Sequence, residues 1–264
     1  MQLATENMIA EKEDGIGWMI FNNPERHNAL SVEMRHAMLQ ILDDFAADDA
    51  IRVVVMKGAG GRAFVSGADI SQFEKQRATE AQRKEYSQLS DKVHVALTSL
   101  QKPMLAMING FCLGGGLAIA LTADIRIAAD DARFGIPAAR LGLGYPFGAL
   151  KSLVDLVGPA CTKEILFTGN RFDAAEALRI GLVNQVVAVD ELGETVRKMA
   201  GAIAVNAPLT VGATKAIVAE VLKNPDDRDL AMCERLVEGC MSSEDYVEGR
   251  RAFMEKRRPQ FAGR

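Results

Sequence analysis

The pattern of apolar and polar positions divides the chain into buried strands and amphipathic helices. Residues 16–21 and 51–56 are short apolar runs, and the second is nearly continuous, as expected of a strand buried on both faces. Between them, Ser31 is a predicted N-cap for a helix with one apolar face. The side chains of that face are Met34, Met38, Ile41, Leu42 and Phe45.

The same order of elements returns in the middle of the chain. A capping-box pattern at Thr79 and Gln82 predicts a long amphipathic helix that ends near Leu100. A buried strand is predicted over residues 103–108, followed by a glycine turn, a short apolar helix and a strand over residues 124–128. The order strand, strand, helix therefore recurs, although no sequence repeat accompanies it.

The last third of the chain is predominantly helical. Helices are predicted over residues 147–157 and 161–168, and Asp173 with Glu176 forms a second capping-box pattern. Residues 183–189 are the last strand-like run.

Breaks in the pattern indicate two regions. Pro208 suits a first helical turn, and Asn224-Pro225 marks an interruption between helices. We therefore predict an α/β core over residues 1–200 and a helical C-terminal region over residues 201–264.

Composition and charge narrow the classes of function. The 264 residues are 48% hydrophobic, with 31 basic and 35 acidic side chains and a formal net charge of -4, which argues against nucleic acid as the main partner. The first residues lack the order of a signal peptide, and the apolar run at 113–122 is too short to span a membrane. We expect a cytoplasmic protein without a membrane partner.

Cysteine and histidine usage gives no sign of a metal. The four cysteines include no C-x-x-C pair, and the three histidines have no zinc-ligand spacing. We expect neither a metal nor a disulfide framework.

Two glycine-bearing turns give the strongest indication of a catalytic site. The segments A-F-V-S-G-A-D at 63–69 and N-G-F-C-L-G-G-G at 109–116 each follow a strand-like run and open a helix-like one. Consecutive glycines at 114–116 permit close approach of a ligand, and the helix start offers unpaired N–H groups. Together the turns are able to aim two N–H donors at one oxygen, which stabilises an oxyanion or enolate.

These turns also carry a family resemblance. With N-N-P-E-R-H-N-A-L before them, A-R-F-G-I-P after them and the ending E-K-R-R-P-Q-F, the chain resembles the crotonase superfamily of enoyl-CoA hydratases and isomerases over nearly its whole length. The resemblance implies an α/β spiral of ββα units, an acyl-CoA substrate and a C-terminal helical region that forms homotrimers or dimers of trimers. Coenzyme A then enters as part of the substrate, and no separate cofactor is implied.

Position by position, the resemblance also implies site residues. The N–H groups of Ala68 and Gly115 fall on the oxyanion hole. Adenine and pantetheine are expected near the loop 25–28 and near Ala63, Ser66 and Ala68, while Lys256 is expected to reach a phosphate of a neighbouring subunit. Arg26 is a candidate phosphate contact by its charge, and a solvated surface arginine is the equally supported alternative.

The chain departs from the family at its two acid–base positions. Where the hydratases of the family have two glutamates, this chain has Ala118 and Ala138, and neither can transfer a proton. A positioned acid or base contributes about 10²–10⁴-fold to a rate, so hydration is expected to be very slow. Chemistry that forms an enolate without a strong base, such as decarboxylation of a malonyl-type CoA, fits better.

Tyr145 supports that possibility. The segment L-G-L-G-Y resembles the L-G-V-P-Y segment of methylmalonyl-CoA decarboxylases, in which the tyrosine hydroxyl contacts the substrate carboxylate. The alternative is an aromatic side chain in a turn with its hydroxyl in water. We therefore predict an acyl-CoA lyase or isomerase, with a decarboxylase or a non-catalytic acyl-CoA-binding protein as alternatives.

Other candidates receive structural interpretations. His94 is predicted to be packed or on the surface, and Asp69 to anchor the start of the following helix. Arg140 is assigned a structural ion pair in preference to a substrate contact, and Cys112 is expected to be a buried, inert thiol. A dinucleotide-binding protein is a weak rival, because G-L-G at 142–144 misses the G-x-G-x-x-G spacing.

Overall fold

The computed structural model describes residues 3–69 and 78–264. Its strands are β1 Met8–Glu13, β2 Ile16–Phe21, β3 Val53–Gly58, β4 Ala63–Val65, β5 Met104–Ile108, β6 Phe111–Leu113, β7 Ile125–Ala129, β8 Arg133–Gly135, β9 Phe172–Asp173 and β10 Gln185–Val187. Its α-helices are α1 Val32–Ala47, α2 Glu80–Ser99, α3 Gly115–Ala120, α4 Phe147–Thr168, α5 Ala174–Arg179, α6 Leu192–Ala204, α7 Pro208–Val221, α8 Leu230–Met241 and α9 Glu244–Glu255. Short 3₁₀ helices lie at Pro24–Arg26, Pro137–Leu141 and Pro225–Asp227.

In these described ranges the strands form two sheets. The larger has the order β1-β2-β3-β5-β7-β10, and its pairs are parallel except for the β1–β2 hairpin. The smaller has the order β4-β6-β8-β9, in which β4, β6 and β8 are parallel. The pairs β3–β4, β5–β6 and β7–β8 each place one strand in each sheet before a helix follows. The recurring strand–strand–helix order predicted from the sequence is therefore confirmed.

The continuous apolar run of β3 is explained by burial on both faces. Val54 and Met56 enter the larger core, together with the predicted apolar face of α1. Val53 and Val55 point to the opposite face, where they pack in a second cluster with α6. Burying each such side chain fully contributes about 1.5–3 kcal/mol relative to exposure, so both layers help to hold this strand.

The helix starts follow the predicted caps with one exception. Ser31 Oγ accepts from Met34 N at 3.2 Å, and both halves of the capping box form at Thr79 and Gln82. Asp173 accepts from the backbone N of Glu176 at 2.9 Å, but the Glu176 carboxylate binds Arg179 instead of completing a box. The expected second box is therefore only half formed.

Several boundaries differ from those predicted. The strand expected at residues 51–56 begins two residues later as β3, and the strand at 183–189 shortens to β10. The two helices predicted around residue 158 are the halves of α4, which bends where Gly158 has φ 76°. Glycine tolerates this conformation because it has no Cβ.

The second glycine turn brings α3 into close main-chain contact with β4 of the smaller sheet. Gly114, with φ 50°, precedes α3, and Gly116 lies within its first turn. A Cβ at position 116 would lie 2.0 Å from the carbonyl oxygen of Val65 at the end of β4. Only glycine therefore permits α3 to start directly against β4.

No single helix within residues 3–69 and 78–264 is long and apolar enough to cross a membrane. Helices α6 and α7 meet that test only as a pair, and they are bent by 104° relative to each other.

Replacing Gly116 with alanine tests this packing. We expect Gly116→Ala to lower the free energy of unfolding by about 3 kcal/mol, because the backbone oxygen it meets cannot swing aside as a flexible side chain does. Urea unfolding followed by circular dichroism measures the change. Gly148→Ala is the matched control, since a Cβ there meets open space and is expected to shift stability by no more than about 1 kcal/mol. Equal stability of the two variants would contradict the packing constraint.

Candidate active site

The N–H group of Ala68 is directed away from the strand-like segment beside it. Leu30 N donates to Gly67 O at 2.8 Å, and Asp69 N donates to Leu30 O at 3.0 Å. In this parallel arrangement the residues on either side of Ala68 make the bonds, so its own N–H points to the other side. Across residues 3–69 and 78–264, nothing accepts a hydrogen bond from it.

The N–H group of Gly115 is available for a different reason. Gly115 is the first residue of α3, and the first N–H groups of a helix have no partner inside it. The N–H groups of nearby residues already have acceptors. Gly114 N donates to Gly135 O at 2.8 Å, and Ala118 N donates to Gly114 O at 3.0 Å. A Cβ built on Gly115 would lie 3.7 Å from Ala68 N, so the two turns adjoin.

Both turns border one cavity of about 500 Å³. Much of its wall is apolar, with side chains from α2, α3 and the segment around the 3₁₀ helix at 137–141; these include Val93, Leu97, Ile119, Ile136, Leu141 and Leu143. The structure brings to this cavity most of the residues predicted for the site, namely Ser66, Ala68, Gly115, Ala118, Ala138 and Tyr145. Two N–H donors facing one apolar space suit a substrate oxygen that gains negative charge.

Tyr145 lines the cavity and is half-buried. Burial raises the pKa of Tyr145 to about 12, because removal from water disfavours the charged phenolate. Within the part of the chain that the structure describes, its hydroxyl has no hydrogen-bond partner. At neutral pH this hydroxyl is therefore neutral and able to donate a hydrogen bond.

The residues predicted to contact coenzyme A do not all reach the cavity. Ala63 is buried on β4, where Asn28 Nδ2 donates to its carbonyl oxygen at 2.8 Å. Arg26 is exposed and forms an ion pair with Asp69, at 3.1 Å between Nη1 and Oδ2. Lys256 is an exposed residue that ends α9 in the left-handed conformation, with φ 54°, and it does not border the cavity.

The structural interpretations of single residues had mixed outcomes. Cys112 is buried, and burial raises the pKa of its thiol, in agreement with an inert side chain. For Arg140 the expected ion pair was wrong: its guanidinium donates to Thr168 O at 3.4 Å and to the side-chain oxygen of Asn170, and no described carboxylate pairs with it. Asp69 binds Arg26, and the helix start it was expected to anchor lies outside the described residues.

The sequence patterns did not identify the polar side of the cavity. Tyr86, Ser90 and His94 line it from one face of α2, where His94 is half-buried. Arg35 of α1 also borders the cavity, and its Nη2 donates to the Tyr86 hydroxyl at 2.5 Å. The spacing i, i+4, i+8 is the signal that was available for this face.

Arg171 is a further cation at the cavity wall. Its guanidinium lies 5.0 Å from the centre of the Phe111 ring, a distance at which the cation and the ring attract each other. No carboxylate lines the cavity among the residues that the structure describes. In the same part of the chain, no group of three or more His, Cys, Asp or Glu side chains is arranged to hold a metal ion.

Comparisons with known proteins identify the family that the chain resembles. The family described as enoyl-CoA hydratase/isomerase matches residues 11–264. The chain is 38% identical over 262 residues to the crotonyl-CoA hydratase of Syntrophomonas wolfei, covering 98% of this chain and 99% of that protein. It is also 38% identical over 252 residues to the short-chain-enoyl-CoA hydratase of Clostridium acetobutylicum, covering 96% of each.

A solved structure is similar over the whole length. The chain superposes on a protein of the enoyl-CoA hydratase/isomerase family from Hyphomonas neptunium with a TM-score of 0.94 and 36% identity, covering 100% of both chains.

The raised pKa of Tyr145 gives a testable pH dependence. Because the folded-state pKa of about 12 exceeds the ordinary value of 10.0, the stabilisation of the neutral phenol is present below pH 10 and is lost as the pH rises towards 12. We expect the absorbance titration of the folded protein to contain a tyrosine that ionises near pH 12. Tyr145→Phe should remove that transition, and Tyr246→Phe, at an exposed position, should leave it unchanged. Loss of the transition only in Tyr246→Phe would contradict the assignment.

Proposed function

The chain belongs to the enoyl-CoA hydratase/isomerase family, and on that basis we propose that it is an acyl-CoA enzyme that stabilises a thioester enolate with the N–H groups of Ala68 and Gly115. Its α/β fold is the crotonase fold. The observation that carries the proposal is that these two donors have no partner among the described residues and border one cavity. Coenzyme A enters as part of the substrate and leaves with it or with the product.

The two donors act on the thioester oxygen. As the enolate forms, charge moves onto that oxygen, and preorganised N–H groups stabilise it most in an apolar cavity. One such donor is commonly worth about 10²–10³ in rate. Because both donors belong to the main chain, the side chain at position 68 needs only to be small enough to keep the cavity open.

We propose that the proton chemistry of this chain differs from that of the hydratases of the family. Ala118 and Ala138 line the cavity at the positions assigned by resemblance to the two glutamates of the hydratases. Without a carboxylate at either position, the rate of enoyl-CoA hydration loses two acid–base contributions of about 10²–10⁴-fold each. We therefore propose that the main reaction is a lyase or isomerase reaction through an enolate and not ordinary hydration.

Decarboxylation of a malonyl-type CoA is the second candidate, and the apolar wall around Tyr145 favours it. Loss of carbon dioxide breaks the bond between Cα and the carboxylate, and its electron pair forms the enolate directly, so that no base is needed. The substrate carboxylate is poorly solvated in an apolar cavity, whereas the charge of the enolate falls on the two N–H donors. The neutral Tyr145 hydroxyl supplies one hydrogen bond to the carboxylate before it leaves.

The remaining contacts with coenzyme A are proposals from the family resemblance. Ser66 borders the cavity beside Ala68 and is assigned to the pantetheine side with Ala63, while the loop 25–28 with Arg26 is assigned to the nucleotide end. Lys256 is assigned to a phosphate held by a neighbouring subunit.

A homotrimer or a dimer of trimers is proposed on the same basis. Large apolar side chains are exposed on the C-terminal helices of the single chain, which supports their burial between subunits. They include Leu230, Val237, Met241, Phe253 and Met254.

Removing one donor tests the proposed oxyanion hole. Proline lacks the N–H and is tolerated at the first position of a helix, so Gly115→Pro is expected to lower turnover of the acyl-CoA substrate by about 10²–10³-fold with little loss of stability. Gly115→Ala keeps the N–H, and its Cβ makes only an ordinary contact, 3.7 Å from Ala68 N. It should therefore retain much more activity. Steady-state kinetics and thermal unfolding are measured for both variants, and equal activities would contradict the role of the Gly115 N–H.

Two substrates separate the candidate reactions. We expect slow or undetectable loss of enoyl absorbance with crotonyl-CoA, because no carboxylate stands at positions 118 and 138. Release of carbon dioxide from methylmalonyl-CoA would establish the decarboxylase. Fast hydration would contradict the proposal and favour the activity of the named relatives, whereas thioester binding without either reaction would favour a binding protein. Absence of thioester binding would overturn the proposal altogether.

A further inference from the structure

We propose that His94 transfers the α-proton of the acyl-CoA, as the acid–base group of the cavity. This inference rests on the proposed function, because it needs a thioester enolate held by Ala68 and Gly115. It assigns the proton step to helix α2, whereas the family resemblance places that step at positions 118 and 138.

The position of His94 on α2 supports this role. Tyr86, Ser90 and His94 follow each other at intervals of four residues, so they form one stripe with a rise of about 6 Å between neighbours. Arg35 of α1 donates a hydrogen bond to the Tyr86 hydroxyl, which holds the start of this stripe against α1. His94 lines the same cavity as Ala68 and Gly115, and its neighbours Val93 and Leu97 contribute apolar wall there.

The imidazole of His94 is available for proton transfer. It is half-buried, and no residue in the described ranges forms a hydrogen bond with its ring nitrogens. Imidazole is the side chain that most often acts as a general acid or base near neutral pH.

The other titratable groups that border the cavity are poorly suited to the step. Arg35 and Arg171 stay protonated and accept no proton. Tyr145 remains a neutral phenol because its burial disfavours the phenolate, and the Tyr86 hydroxyl accepts from Arg35, which leaves it tied to a cation. The described residues contribute no carboxylate to the wall. Among the described lining residues, His94 is the remaining side chain suited to accept and return a proton.

The step conserves atoms and charge. A ring nitrogen of neutral His94 takes the proton from Cα, the C–H electron pair forms the double bond to the thioester carbon, and the carbonyl electron pair moves to oxygen. The N–H groups of Ala68 and Gly115 hold that oxyanion. Return of a proton from the imidazolium to Cα regenerates the thioester, and after decarboxylation the same group in its protonated form supplies the proton that replaces carbon dioxide.

Exchange of the α-proton in heavy water tests the inference. Butyryl-CoA is incubated with the protein in D₂O, and the increase in mass of the thioester gives the exchange rate. We expect His94→Gln to lower that rate at least about 100-fold while the Kd for butyryl-CoA from titration calorimetry stays within about threefold. His36→Gln is the matched control, because His36 is exposed on α1 and does not line the cavity, and its exchange rate should equal that of the unmodified protein.

Two further readouts separate proton transfer from a structural role. The pH profile of the exchange rate in the unmodified protein should differ from that of the residual activity in His94→Gln. Added imidazole should restore exchange to His94→Ala, which opens space for the small base. Circular dichroism of each variant checks that it is folded.

The outcomes distinguish failure of this inference from failure of the proposed function. Undiminished exchange in His94→Gln, or thioester binding without exchange by the unmodified protein, would overturn the role of His94 and leave acyl-CoA binding intact. A rate loss in His94→Gln that is neither rescued by imidazole in His94→Ala nor accompanied by a changed pH profile would likewise overturn it. No binding of butyryl-CoA by the unmodified protein, with no binding of other CoA thioesters, would overturn the proposed function itself.

Discussion

The site depends on how closely two main-chain segments approach each other where β4 meets the start of α3. Without a Cβ at position 116, the carbonyl of Val65 contacts the first turn of that helix directly. This contact sets the distance between the turn that carries Ala68 and the turn that carries Gly115. A longer separation would leave each N–H group to water, and neither would act on the oxygen of a shared ligand.

Much of the scaffold followed from the sequence because its signals are local. The N-cap at Ser31, the apolar face of α1 and the buried run of β3 each depend on residues within one element. The strands of the smaller sheet could not be predicted from local signals. β4, β6 and β8 each have three residues, too few to show a period, and their partners lie far away in the sequence.

The sequence predicted the two turns whose main chain borders the cavity, but it did not predict the side chains of α2 that line it. The family resemblance carried by the two glycine turns assigned Ala68 and Gly115 to one site, and both residues border the cavity. On α2, by contrast, a polar stripe resembles a solvated helix face, and only the packing of that helix across the turns shows that Tyr86 and His94 border a cavity. The ion pair predicted for Arg140 was wrong for a similar reason, because its acceptors at Thr168 and Asn170 are brought close only by the tertiary fold.

Main-chain donors also give the site an unusual durability under mutation. A catalytic side chain is lost by a single substitution, whereas the N–H of residue 68 or 115 survives every replacement except proline. A scaffold of this kind therefore keeps these two main-chain donors whatever side chains stand at positions 118 and 138. The side-chain wall of the cavity, which includes Ala118 and Ala138, is thus free to vary while the main-chain donors stay in place.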